Sequence, residues 1–157
     1  METQRLFCTF RIAGRLYGVD ILDVKEVTAE TIFTQVAHAP DEVLGLVNIR
    51  GHIYLALDLR RLLAVPASQV TADSRLVLFK PSVGSAFGVV VDEIAEIETV
   101  DSNWIEPYSG GDHAATAAGS HRADLTAAVC QLSAELLVVL DPRRFLAVVE
   151  QNLAATA

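Results

Sequence analysis

Short apolar runs alternate with turn signals along the whole chain. Leu6–Ile12 and Leu16–Ile21 flank Ala13-Gly14 and predict a hairpin. Ile21, Val24 and Val27 are spaced by three among Asp20, Asp23, Lys25 and Glu26, which predicts one helical turn leading into a strand. Thr31–Val36 predicts a further strand. Pro40-Asp-Glu-Val43 predicts a short helix, with proline at its first position and acids at the positive end of the helix dipole. Residues 44–65 then organise the rest: strand Leu46–Ile49, a tight turn made possible by Gly51, strand Ile53–Leu57, and a helix from Leu59 capped by the Asp58 side chain and ended before Pro66.

The end of that stretch is written twice. Tyr54–Val65 and Leu137–Val148 share seven of twelve residues at an offset of 83, including Asp58/Asp141, Arg60/Arg143 and Arg61/Arg144. A second set matches at an offset of 70: Arg5-Leu6 with Arg75-Leu76, Gly14 with Gly84, Tyr17-Gly-Val19 with Phe87-Gly-Val89, and Glu26 with Glu96. Two collinear matches indicate two related halves, roughly 1–66 and 67–150, the second carrying an insertion between about residues 98 and 127. The small, polar stretch Pro66–Ser74 makes the seam. In the second half Arg75–Phe79 and Ala86–Val91 predict a hairpin, Ile94, Ile97 and Val100 continue it, and strands near Ala127–Leu132 and Leu136–Leu140 repeat the central hairpin. Asp141-Pro142 opens a final helix. The Gly-, Ala-, Ser- and His-rich stretch 109–127 reads as a mobile surface loop. About ten short strands in two sets of five predict a mainly all-β chain of two small closed barrels, since closure removes exposed sheet edges.

Composition narrows the function. The 157 residues are 52% hydrophobic, enough for a real core. A net charge of −8 disfavours nucleic acid, whose phosphates need Lys and Arg. No apolar run approaches the roughly 20 residues of a membrane span, and no basic-then-apolar leader opens the chain. Cys8 and Cys130 sit in apolar strands and read as buried thiols of a cytosolic protein. Chemistry is scarce. His38, His52, His113 and His121 form no metal-ligand spacing, and neither a nucleophile elbow nor a phosphate-cradling glycine loop is present, so neither catalysis nor a cofactor is expected. Interaction remains. Arg50, before the turn glycine of an apolar hairpin, reads either as satisfying a nearby acid or carbonyl or as contacting a partner, and Glu26 shares that ambiguity. Val24, Leu76 and Ile97 are apolar residues near strand ends. Singly each would be core; clustered between the halves they would form a groove for a helix.

Tyr17-Gly-Val-Asp-Ile-Leu-Asp-Val-Lys-Glu-Val27, Gly45-Leu-Val-Asn-Ile-Arg-Gly51, Leu57-Asp-Leu59 and Gly88-Val-Val-Val-Asp-Glu-Ile94 carry a resemblance. Over nearly its whole length the chain resembles the CheW family of chemotaxis coupling proteins. The resemblance implies one domain, 1–157, of two intertwined SH3-like five-stranded barrels. Approximate subdomains are 16–70 and 71–140, with strand exchange from 1–15 and a C-terminal helix at 142–153. It implies a non-enzymatic, cytoplasmic adaptor, recruited to membrane-associated receptor arrays without inserting. Its partners would be the regulatory domain of a CheA-like histidine kinase and the cytoplasmic tip of chemoreceptors. Glu26 and Gly45 would face the kinase and Arg50 would hold or contact that edge; Val24, Leu76 and Ile97 would line the receptor groove. Three departures stand out: Leu55 where the family usually has proline, Leu125-Thr-Ala-Ala128 where it has an apolar-glycine motif, and the insertion 109–124. They leave open a divergent paralogue that binds one partner and insulates the kinase, for instance in gliding or pilus motility.

Overall fold

The computed structural model describes residues 3–108 and 125–156. The apolar runs become strands and the turn signals close them. β1 (Gln4–Ile12) and β2 (Arg15–Asp20) meet across Ala13-Gly14, with φ of 52° and 80°; Ile12 faces Arg15 directly. Two positive φ values in a two-residue loop give the turn whose twist matches that of the strands. β4 (Val43–Ile49) and β5 (His52–Asp58) meet in the same way across Arg50-Gly51, with φ of 52° and 87°. A 3-10 turn at Ile21–Asp23, capped by Asp20, leads into β3 (Val24–Thr28). Then follow α1 (Leu59–Leu62), β6 (Arg75–Phe79), β7 (Phe87–Val91), β8 (Glu93–Asp101), β9 (Ile105–Pro107), β10 (Thr126–Gln131), β11 (Leu136–Leu140) and α2 (Phe145–Thr156). Two expected elements do not form. Thr31–Val36 contributes only an isolated bridge, Thr34 to Leu46, and Pro40–Val43 closes a single turn before β4 begins. β9 was not foreseen, being three residues before Tyr108. The loop expected at 109–127 lies, for residues 109–124, outside the described residues.

The strands form two sheets, in the orders β8-β1-β2-β11-β10-β9 and β3-β6-β7-β5-β4. Sheet membership departs from the approximate division into 16–70 and 71–140. The whole first hairpin, including Arg15–Asp20, joins the second-half strands, and the hairpin 75–91 joins the first-half strands. The exchange is therefore reciprocal, one hairpin from each half, and each donated hairpin docks by a short parallel pairing: β7 on β5 and β2 on β11.

The duplication extends to individual pairings. An offset of 83 carries Val47 opposite Tyr54 onto Cys130 opposite Leu137. It also carries the bulge between Val43 and Gly45 onto the one between Thr126 and Ala128. The Asp58 amide donates to Glu42 O at 2.8 Å and the Asp141 amide to Leu125 O at 2.9 Å. Both aspartates cap a helical turn by accepting the amide two residues on, at 3.0 Å each. The parallel pairs Leu55–Phe87 and Ala56–Gly88 answer Val138–Tyr17 and Val139–Gly18. The β1/β6 match corrects the sequence alignment by one residue. Phe10 faces Ile94 and Cys8 faces Ile97, as Phe79 faces Val24 and Val77 faces Val27, so Phe7, not Leu6, answers Leu76.

Alternation along β1 and β6 separates three cores. Leu76 and Leu78 pack inside the five-stranded sheet with Val47, Tyr54 and Ala56. Phe7 packs inside the six-stranded sheet with Cys130, Leu137 and Val139. Cys8, Phe10, Val77 and Phe79 point the other way, into a seam shared by both sheets and closed by Phe145 and Val148 of α2. Phe79 stacks obliquely on Phe87 at 5.2 Å and edge-on to Phe145 at 6.0 Å.

The chain crosses between sheets at Ile21–Asp23 and at Asp92, and an arginine of the repeated helix cap grips each crossing. Arg143 binds Asp23 with both terminal nitrogens, at 3.0 and 2.9 Å. Arg60 binds Asp92 at 2.8 and 2.6 Å. Burial pushes the Asp92 carboxyl up, but the hydrogen bonds from Arg60 and the Ala13 amide and the Arg60 charge outweigh it, so the group sits below its ordinary value. A carboxylate depressed in the folded state stabilises fully above its unfolded pKa of about 3.9, and that contribution is lost as pH falls through the folded value. Arg60→Ala is expected to cost about 1–2 kcal/mol at neutral pH and to flatten the acid limb of a urea-midpoint profile below about pH 4. Equal acid sensitivity in wild type and variant would exclude this clamp.

Candidate docking surfaces

Glu26 and Arg50 come together. Arg50 Nη1 and Nη2 donate to Glu26 Oε1 and Oε2 at 2.8 and 2.7 Å. Glu26 lies on β3 and Arg50 in the β4–β5 turn, so the pair joins opposite edges of the five-stranded sheet and draws it into a curl. Lys25 Nζ donates to Tyr54 OH at 2.8 Å across the same gap. The Arg50 side chain is 75% exposed and that of Glu26 only 19%, so the guanidinium is the solvent-facing half of the pair. Arg50 holds its left-handed φ because it is the first residue of the two-residue turn; Asn48 Oδ1 fixes that turn by accepting the Gly51 amide at 2.8 Å.

Gly45 adjoins this face without being on its surface. It is buried, at the β4 bulge, with φ of 145°. Thr34 exchanges two 2.8 Å backbone hydrogen bonds with Leu46 directly above it. A Cβ on Gly45 would lie 2.3 Å from Thr34 O. Gly45 therefore shapes the face by letting the 33–34 segment seal the β4 edge.

The three apolar candidates do not share one groove. Val24 faces Phe79, on the seam side of β3, and packs half-buried on the seam core. Ile97 faces Cys8, on the seam side of β8, and is 58% exposed. Leu76 is fully buried and belongs to the interior of the five-stranded sheet. Strand alternation puts it on the face opposite Val77 and Phe79, so it cannot line a groove with Val24. Two residues missed in the sequence take its place: Val27, facing Val77, and Ile94, facing Phe10, each 38% exposed. β3 and β8 are outer strands, so apolar side chains that point toward the seam are left partly uncovered at its margins. The offset of 70 relates Val24 to Ile94 and Val27 to Ile97 and was the available signal. The bulge that lets residues three apart share a face was not legible.

Among the described residues no group of His, Cys, Asp or Glu forms a metal site, and no helix is long and apolar enough to cross a membrane. His113 and His121 lie outside the described residues. Cys8 and Cys130 are free, buried thiols. Burial pushes both thiol pKa values up, with the Glu98 charge adding to the effect at Cys130.

The family model for the CheW-like domain matches residues 6–150, which takes in both halves and both surfaces. The chain belongs to the CheW family. Chemotaxis protein CheW of Klebsiella aerogenes is 29% identical over 148 residues, 94% of this chain and 84% of that protein. Chemotaxis protein CheW of Rhizobium meliloti is 33% identical over 104 residues, 66% of each. The crystal structure of the scaffolding protein TtCheW from Thermoanaerobacter tengcongensis superposes with a TM-score of 0.76 at 24% identity, covering 88% of this chain and 89% of that one. The mainly β, two-sheet architecture with a C-terminal helix is thus the CheW fold. Its departures have local explanations. Leu55 donates its amide to Ala86 O at 2.9 Å, a bond proline could not make. Ala128, paired with Pro107 of β9, stands at Gly45's place in the repeated bulge.

Proposed function

We propose that this CheW-like chain is a non-catalytic adaptor that couples chemoreceptor tips to a CheA-like histidine kinase. The observation that carries the reading is the pair of outer strands with seam-side apolar residues, the half-buried Val24 and exposed Val27 on β3 and the exposed Ile94 and Ile97 on β8. Apolar side chains at the open margin of a core bind by the same desolvation that holds the core together. The receptor tip docks there. The regulatory domain of the kinase docks on the curl stitched by Glu26 and Arg50, with Gly45 shaping the surface from beneath. Exposed ion pairs add little to stability, so a two-pronged pair on a turn is better suited to setting orientation and partner choice. The relatives named for chemotaxis support the same assignment.

Ile97→Asp changes an exposed residue and is expected to leave the melting temperature within about 2 °C of wild type. It should weaken binding of a receptor cytoplasmic fragment by about tenfold or more, as loss of an apolar anchor does, and leave the kinase regulatory fragment bound. Arg50→Glu should do the reverse. Isothermal titration with both fragments checks this; a receptor affinity unchanged in Ile97→Asp would remove the β8 margin from the receptor surface.

A further inference from the structure

β3 carries residues of both proposed surfaces. Val24 and Val27 lie on its seam side, opposite Phe79 and Val77. Glu26 lies on the other side, opposite Leu78, and holds Arg50. β3 ends its sheet and pairs through its backbone with β6. Among the described residues its outer side is held by side chains only: Glu26 to Arg50, and Lys25 Nζ to Tyr54 OH at 2.8 Å. Lys25 is the extra residue of the β3 bulge, which lets it reach inward beside Glu26. Its ammonium also lies 5.5 Å from the centre of the Tyr54 ring. Tyr54 is a fixed anchor, buried among Val47, Ala56, Leu76 and Leu78. The second sheet shows that the fold does not require this polar latch. The offsets of 70 and 83 put Ala95 where Lys25 stands and Leu137 where Tyr54 stands. Ala95 lies in the matching bulge of β8 and packs against the core cluster that contains Leu137. Both members of the contact differ together, polar on one sheet and apolar on the other.

We propose that Lys25 and Tyr54 are positioning residues that seat β3 for both partners at once, so that receptor and kinase binding are linked through this strand. Val24 and Val27 keep their places at the seam only while β3 is seated, and Glu26 keeps its place at Arg50 on the same condition. A partner that needs the seated strand binds more weakly in proportion to the molecules in which it is unseated. The first partner to bind then restores the site for the second, and the effect is reciprocal. The inference rests on the receptor and kinase surfaces proposed above and adds the linkage between them.

The test titrates the full chain by calorimetry with the receptor cytoplasmic fragment, with the kinase regulatory fragment, and with each in the presence of saturating amounts of the other. Tyr54→Phe removes the hydroxyl alone, and Lys25→Met removes the ammonium while keeping an unbranched stem. Each variant is expected to weaken both fragments about threefold to tenfold, as loss of one hydrogen bond to a charged group would. Saturation with one fragment should return the other to within about twofold of wild type. Lys25→Arg, which keeps the charge and its donors, should bind both fragments as wild type does. A lowered melting temperature with both affinities within about twofold of wild type would overturn the inference, since a purely structural bond would give that result. Loss of one fragment alone, or loss of both without mutual restoration, would overturn it too. Val27→Asp separates this failure from that of the surface itself: it should weaken the receptor fragment about tenfold or more. Receptor affinity within about twofold of wild type in Val27→Asp would remove the β3 margin from the receptor surface, and the linkage with it.

Discussion

Leu76→Asp is expected to unfold the chain, whereas a charge at Ile97 leaves it folded. Leu76 is fully buried between the strands of the five-stranded sheet, packed with Val47, Tyr54, Leu78 and Val90. Within that cluster the one side-chain polar group is the Tyr54 hydroxyl, already bonded to Lys25 Nζ, so a carboxylate at position 76 gains no ion-pair partner of its own and must lose hydration or protonate. The cost is on the order of 4 kcal/mol or more, against a total stability of roughly 5–15 kcal/mol for a domain. Far-ultraviolet circular dichroism and a urea titration decide it: a collapsed midpoint or no transition is expected. A normal midpoint with selective loss of receptor binding would return Leu76 to the groove.

Gly45→Ala is expected to cost about 3 kcal/mol and to disturb the Glu26–Arg50 curl from beneath. Two effects add. A φ of 145° is rare for any residue with a side chain, and the new methyl carbon would sit 2.3 Å from Thr34 O. The carbonyl belongs to backbone, so relief requires the 33–34 segment to lift, which breaks its two bonds to Leu46. Hydrogen exchange should therefore show faster exchange at Thr34 and Leu46 while the seam core stays protected. Unchanged protection at those two amides, with wild-type stability, would contradict the close approach. Ala128→Gly, at the equivalent bulge of the second sheet, is expected to be mild, because that position already accommodates its methyl.

The duplication was legible because it is carried by residues with local jobs. Asp58 and Asp141 cap, Gly51 turns, and Arg60 and Arg143 follow the caps; each job fixes a residue type at a fixed spacing. Sheet membership was less legible. Nothing within Arg75–Val91 says that this hairpin pairs with β3 and β5 rather than with its own half, because that choice is made by long-range parallel pairing. The same limit produced the error at Leu76. An apolar residue in a strand reads alike whether it points to the sheet interior or to the seam, and only the partner strand's register separates the two. Phe7, its true counterpart, was hidden by a one-residue slip between β1 and β6. Glu26 and Arg50 stand out in the sequence as polar residues in apolar surroundings, and the structure joins them as an ion pair. Thr31–Val36 failed as a strand because its apolar residues do not alternate consistently; only Phe33 packs, while Ile32 is 82% exposed.

Coupling itself is tested by titrating the full chain into a fixed mixture of receptor signalling fragment and histidine kinase and measuring kinase autophosphorylation. A bridge with two separate faces should raise activity to a maximum and then lower it in excess, as separate copies occupy receptor and kinase. A monotonic fall, or a flat response with both partners bound, would contradict coupling, and the fall would mark the chain as an insulator.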